Sequence, residues 1–120
     1  MARRRFPKSV YDTGTEPDPR FTLANERTYL AWIRTSLALL AAGIALEVLG
    51  LGLHEGFRIL ASVILLLTGS AAAPMAWFNW ARFERALRQN TPLPHSPLAL
   101  PVGIVVGITG VIVLLGFIFR

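Results

Sequence analysis

The sequence predicts an all-α fold, an integral membrane three-helix bundle with spans at about 22–52, 57–88 and 98–119, assembled as a homo-oligomer. Three observations predict it. The chain of 120 residues is 53% hydrophobic and 16% charged, and its mean hydropathy of +0.52 is too high for an ordinary soluble domain of this size. Its apolar residues collect in three blocks, near 35–53, 59–81 and 96–119, and the last two contain no charged residue. Each block can cross a hydrocarbon layer of about 30 Å as a helix, and lipid obliges the backbone to satisfy its own hydrogen bonds, so helices are favoured over open strands. Two segments follow: residues 1–20 as a flexible basic tail and residues 21–120 as a three-span transmembrane domain.

The tail opens with Arg3, Arg4, Arg5 and Lys8 and continues into polar, turn-rich "SVYDTGTEPDPR". An export signal needs an apolar stretch directly after its arginines, so the first apolar block is expected to be a retained anchor. A helix is expected to start near Thr22, which can cap it, and to run to about Leu51. Such a helix is about 45 Å long, more than the bilayer core, so the turns holding Asn25, Glu26 and Arg27 stand in the headgroup region or beyond. A turn around His54 and Gly56 leads to the second span. That span passes Trp77 and Trp80 and overshoots the bilayer at Arg82, Arg85 and Arg88. The stiff "TPLPHSP" connects to the third span, whose first turn contains Pro101.

Lysine and arginine set the orientation. Seven lie from the tail through Arg34 and three follow the second span, whereas only Arg58 and Arg120 fall on the other side. The positive-inside rule then places the N-terminus in the cytoplasm and the C-terminus outside a cytoplasmic (inner) membrane. Trp32, Trp77 and Trp80 fall at the same inner interface, where indoles concentrate. The net charge of +5 therefore reads as topology and affinity for anionic lipid rather than for nucleic acid. Cysteine is missing, and His54 and His95 fall on opposite sides. No metal, cofactor or thiol chemistry is expected, and without a nucleophile–base pair or a phosphate-binding glycine loop no enzyme is expected either.

Small residues repeat along each span: Ser36, Gly43 and Gly50 in the first, Ser62, Gly69 and Ala76 in the second, Gly103, Gly107 and Gly110 in the third. They read as helix-packing positions, against either the same chain or a neighbouring copy, because small side chains let membrane helices approach closely. Arg27 and Arg34 lie about 10 Å apart along the helix and only about 20° apart around it, forming one cationic edge. Three readings stay open for that edge: lipid phosphates, an ion pair with Glu26 or Glu84, or a mouth that binds a polyanion. Arg82, Arg85 and Arg88 draw a rough stripe, read as a topology determinant and a grip on lipid headgroups. Glu47 lies about 20 Å beyond Arg34 and faces away from it. It is either paired at the far interface with Arg58 or His54, or part of a pathway or gate.

The run Asn25-Glu26-Arg27-Thr28, followed by Leu30-Ala31-Trp32-Ile33-Arg34-Thr35, resembles the signature of the YidH-like family. These are small three-span bacterial membrane proteins described as domain of unknown function 202, and the resemblance extends from about Asp18 to Phe119. The same domain is similar to the membrane portion of the eukaryotic vacuolar transporter chaperone, a polyphosphate polymerase complex whose spans form a ring for polyphosphate passage. The resemblance implies entrance roles for Arg27 and Arg34, with Glu26 as a partner and Asn25 as a hydrogen-bonding neighbour. These residues include no counterpart of that complex's regulatory and polymerase domains, so no catalysis is implied. Three helices enclose no lumen, and a conduit requires several copies with first spans inward. The leading expectation is thus an oligomeric membrane protein with a cationic inner mouth for anions such as polyphosphate. Its competitor is a structural or assembly subunit whose arginines hold lipid headgroups.

Overall fold

The computed structural model describes residues 7–93 and 98–120 of the chain. These residues form four helices, α1 (Lys8–Tyr11), α2 (Pro19–Leu49), α3 (Glu55–Arg88) and α4 (Ala99–Ile118). The last three are each long and apolar enough to cross a membrane. The expected all-α architecture of three spans is therefore present. Arg3, Arg4, Arg5 and His95 lie outside the described residues.

α2 begins earlier than the sequence suggested. The Asp18 carboxylate accepts the Arg20 backbone N–H at 2.9 Å, and Pro19 occupies the first helical position. An Asp cap supplies an acceptor to an otherwise orphaned donor, and proline's fixed φ already suits the first turn. Thr22 is consequently an interior residue of the helix rather than its cap. α3 opens similarly: His54 Nδ1 accepts the Gly56 N–H at 3.1 Å. The His54 backbone N–H donates to the Gly116 carbonyl at 3.0 Å, tying the α2–α3 turn to the end of α4.

The hydrophobic effect does not drive helices together inside lipid, so close packing and interhelical hydrogen bonds supply the attraction. α2 and α3 use both. Ser36 Oγ donates to the Gly69 carbonyl across the interface. A Cβ on Gly69 would lie 2.9 Å from Leu40 Cγ and 3.0 Å from the Ser36 carbonyl oxygen. One on Gly43 would lie 2.9 Å from Leu66 Cγ and 3.2 Å from the Ser62 carbonyl oxygen. Ser36 and Gly43 thus pack within the chain, against the Ser62–Gly69 stretch of α3. Gly50 does not join them. It terminates α2, donating its N–H to Leu46 O at 2.9 Å.

α4 packs on a different side of α3, with Gly116 against Phe57 and Thr109 buried. No α2–α4 Cα pair comes within 8 Å, so α3 is the middle helix of an open row. The α4 glycines behave differently. A Cβ on Gly103, Gly107 or Gly110 would meet nothing within 4 Å, so among the described residues they take no part in packing within the chain, and of the two expected partners a neighbouring copy is the one left open. Thr109 and Gly116 occupy the face turned to α3 and leave the glycine face outward. Spacing identified a shared face without saying which way it points.

The expected flexible tail also differs over its described part. α1 packs on α3, and Val10 is fully buried.

Replacing Gly69 with Leu should overpack the α2–α3 interface and cost about 1–3 kcal/mol. Thermal unfolding followed by circular dichroism in detergent should show a lowered midpoint for Gly69→Leu and none for Gly103→Leu.

Candidate functional site

The buried residues of α2 are Asn25, Ser36, Leu39 and Gly43, which mark the side facing α3. Arg27 and Arg34 lie about 170° around the helix from that side. Both are exposed, and among the described residues neither makes a hydrogen bond or an ion pair. The pairing with Glu26 or Glu84 does not form. Glu26 is exposed about 100° around α2 from Arg27, whereas Glu84 is 1% exposed and meets Asn25.

Two features of this edge escaped the sequence reading. Because α2 starts at Pro19, Arg20 belongs to the helix and continues the seven-residue spacing, giving three guanidinium rungs about 10 Å apart. Arg20 grips Asp18, with Nη2–Oδ2 at 2.8 Å and Nε–Oδ1 at 3.2 Å. These hydrogen bonds, first from the Arg20 side chain and then from its backbone N–H, hold the Asp18 carboxyl below its ordinary value. The signal was available in the Asp-Pro-Arg start and the 20, 27, 34 register. The second feature is Ala31, Ala38, Ala41 and Ala45, all exposed on the same outward side. The edge is therefore cationic at one end and lined by small residues beyond.

Asn25 does not belong to it. Its Nδ2 donates to the Trp80 carbonyl at 3.1 Å and to Glu84 Oε1 at 3.5 Å, and the residue is 7% exposed. Asn25 is a tie between α2 and α3, not a ligand on the arginine edge. A buried amide must find partners, and the nearest lie on α3.

The three arginines at the end of α3 have three different environments. Arg88 is 6% exposed, which corrects its reading as a headgroup contact. Its Nε donates to the Thr13 carbonyl at 2.8 Å, Nη2 to the Tyr11 carbonyl at 2.9 Å and Nη1 to Glu16 Oε1 at 3.1 Å. The Arg88 carbonyl in turn accepts the Thr15 N–H at 2.9 Å. Gly14, at φ +59°, rests on that carbonyl, and a Cβ there would run into it. Arg88 thus clasps residues 11–16 to the end of α3. Arg85 Nε donates to the Ser9 carbonyl at 3.2 Å. Arg82 is exposed and makes no hydrogen bond or ion pair among the described residues.

Tyr29, Trp77 and Trp80 cluster beside this end, with Trp77–Trp80 centroids 5.0 Å apart and Tyr29–Trp77 6.1 Å apart. At the opposite end Glu47 Oε2 lies 3.7 Å from Arg58 Nε, an ion pair rather than a hydrogen bond. That geometry favours interface pairing over a gate. Among the described residues, no three His, Cys, Asp or Glu side chains come together as a metal site.

Residues 20–86 match the family model described as "Domain of unknown function (DUF202)", more than half of the chain. The chain belongs to this family. It is 39% identical over 102 residues to the inner membrane protein YidH of Escherichia coli K12, covering 84% of this chain and 89% of that protein. It is 42% identical over 103 residues to an uncharacterized protein of Mycobacterium tuberculosis H37Rv, covering 85% of this chain and 84% of that one. No solved structure matches the chain. The DUF202 match contains the arginine edge and the α2–α3 contact, and it ends two residues before the Arg88 clasp.

Removing the clasp should free the segment before α2. Arg88→Ala should raise hydrogen exchange at the Thr15 amide by about tenfold or more, given hydrogen bonds to a charged group worth about 1.5–3 kcal/mol each. Arg82→Ala should leave that exchange unchanged. The Asp18 carboxyl titrates lower when folded, so its contribution is complete above the ordinary carboxylate range and is lost as pH falls through the lowered value. A carbon-13 NMR titration should place its midpoint below that of an unfolded peptide, with Arg20→Gln removing most of the difference.

Proposed function

We propose that this DUF202 protein is a multi-pass inner-membrane protein that self-associates through the outward side of α2. Its arginine edges gather around a shared axis at the cytoplasmic face, where they bind and admit a polyanion such as polyphosphate. The name of the Escherichia coli relative supports the inner-membrane location. The count of basic residues supports a cytoplasmic N-terminus.

One observation carries the reading. Among the described residues, Arg27 and Arg34 are exposed and without partners, on the side of α2 opposite its helix neighbour α3, and small alanines continue that side. An arginine facing acyl chains costs about 2.5–3.5 kcal/mol at mid-span on insertion scales, and less near the end of a span, where Arg27 and Arg34 lie. A hydrated axis shared by several copies relieves that cost, and Ala31, Ala38, Ala41 and Ala45 permit the close approach such an assembly needs. A ring of guanidinium groups repels itself, and a bound polyanion removes the repulsion. The protein's work on this reading is attraction and passage, with no bond made or broken.

A second reading rests on the same exposure. Arginines near the end of a span reach phosphates by snorkelling, so an anchoring or assembly subunit would carry the same edge.

Reconstitution in phosphatidylcholine vesicles separates the two. The wild-type protein should bind and pass polyphosphate with a steep salt dependence, and native mass measurement in lipid nanodiscs should show an oligomer. Arg27→Gln combined with Arg34→Gln should weaken polyphosphate binding by about tenfold or more. A strict monomer, or a double variant that binds and passes polyphosphate as the wild type does, leaves the anchoring reading.

A further inference from the structure

We propose that one face of α3, remote from the arginine edge of α2, is a binding site for a single anionic glycerophospholipid. An acyl chain would lie in the groove between α3 and α4, and the phosphate would rest on Arg82 and Arg85.

The register comes first. Ala71, Met75, Phe78, Arg82, Arg85 and Gln89 follow one another at alternating spacings of four and three residues, which on a helix is a single side. Its lower part is apolar. Leu67, Ala71 and Met75 face Pro101, Val102 and Val105 of α4 across a groove of about 260 Å³. The Thr68 hydroxyl in its wall is already satisfied by the Ile64 carbonyl at 2.8 Å, so the groove makes no polar demand on an occupant. The groove is open: Leu67 is 66% exposed and Met75 45%, and Phe78, next along the same side, is 65% exposed.

The same side then turns cationic. Arg82, Arg85, Gln89 and Thr91 line a cleft of about 220 Å³. Arg82 makes no hydrogen bond or ion pair among the described residues. Arg85 uses only Nε, on the Ser9 carbonyl, leaving its terminal nitrogens free of hydrogen-bond partners among the described residues. Two guanidinium groups one turn apart match the oxygens of a phosphodiester, which they bind through paired N–H donors.

The change from apolar to cationic falls where a bilayer makes the same change. Met75 and Arg82 are about 10 Å apart along the helix, and Trp77 and Trp80, residues of the kind that settle at the membrane interface, lie between them. This coincidence selects the ligand. A free phosphate has no use for the groove, and a zwitterionic headgroup brings its own cation toward the two arginines.

The test uses full-length protein, stripped of lipid in a mild non-ionic detergent and titrated with phosphatidylglycerol or phosphatidylcholine under native mass spectrometry. Phosphatidylglycerol should be retained at one molecule per chain and about tenfold more tightly than phosphatidylcholine. Arg82→Gln with Arg85→Gln should bring the two lipids level, whereas Arg82→Lys with Arg85→Lys should keep a preference. Ala71→Phe should fill the groove and weaken long-chain phosphatidylglycerol by about tenfold while leaving a short-chain analogue unaffected. Glycerol 3-phosphate should not displace the lipid. Arg27→Gln with Arg34→Gln should leave retention unchanged, so this site is judged separately from polyanion passage. Equal retention of the two lipids by the wild type, full retention by the glutamine pair, or displacement by glycerol 3-phosphate overturns the proposal.

Discussion

The meeting of α2 and α3 at Ser36, Gly43 and Gly69 decides what every other side of α2 is free to do. Lipid offers a serine hydroxyl no water, so Ser36 satisfies itself on the Gly69 carbonyl. Two glycines allow the backbones near enough for that bond to form. Once this side is spent, Arg20, Arg27 and Arg34 have one direction left, outward. The helix that carries the three-arginine edge is thereby bound to its own chain by an uncharged side.

Both ends of the helix pair are braced, by different chemistry. At the tryptophan end Asn25 ties α2 to the Trp80 carbonyl, and Arg88 clasps the segment before α2 with donors on two carbonyls and a carboxylate. Those donors are charge-assisted and buried, which makes them stronger than their count suggests. At the other end Glu47 and Arg58 pair at longer range, and the His54 backbone meets the last turn of α4. Bracing at both ends leaves α2 little freedom to rotate about its axis. The direction of the arginine edge is therefore a fixed property of the fold.

Hydropathy revealed the three spans because about 20 apolar residues in a row have few alternatives in a chain this short. The start of α2 was less legible: Asp18 and Thr22 are both capable caps, and the Asp18–Pro19 pairing with Arg20 decided between them. Residue periodicity served Ser36, Gly43 and Gly69 well, since a partner with matching small residues lay in the next helix. For Gly103, Gly107 and Gly110 it did not say whether the partner lies in the chain or outside it, because a glycine repeat defines a face and carries no information about direction. Arg88 was hidden for another reason. Two of its three partners are backbone carbonyls, of Tyr11 and Thr13, and a carbonyl is the same in every residue. The tie made by Asn25 is also to a backbone carbonyl, so its inward turn left no mark in the sequence.

The central claim is that the outward side of α2 meets another copy of itself in the membrane. The chain has no cysteine, so single cysteines report without background. Ala38→Cys, on the outward side, and Leu39→Cys, buried against α3, can each be treated in native membranes with a short bis-maleimide. The account predicts cross-linked dimers for Ala38→Cys and only monomer for Leu39→Cys. Monomer alone for Ala38→Cys, with the cysteine still labelled by a lipid-soluble maleimide, would show that this side faces lipid and contradict the account.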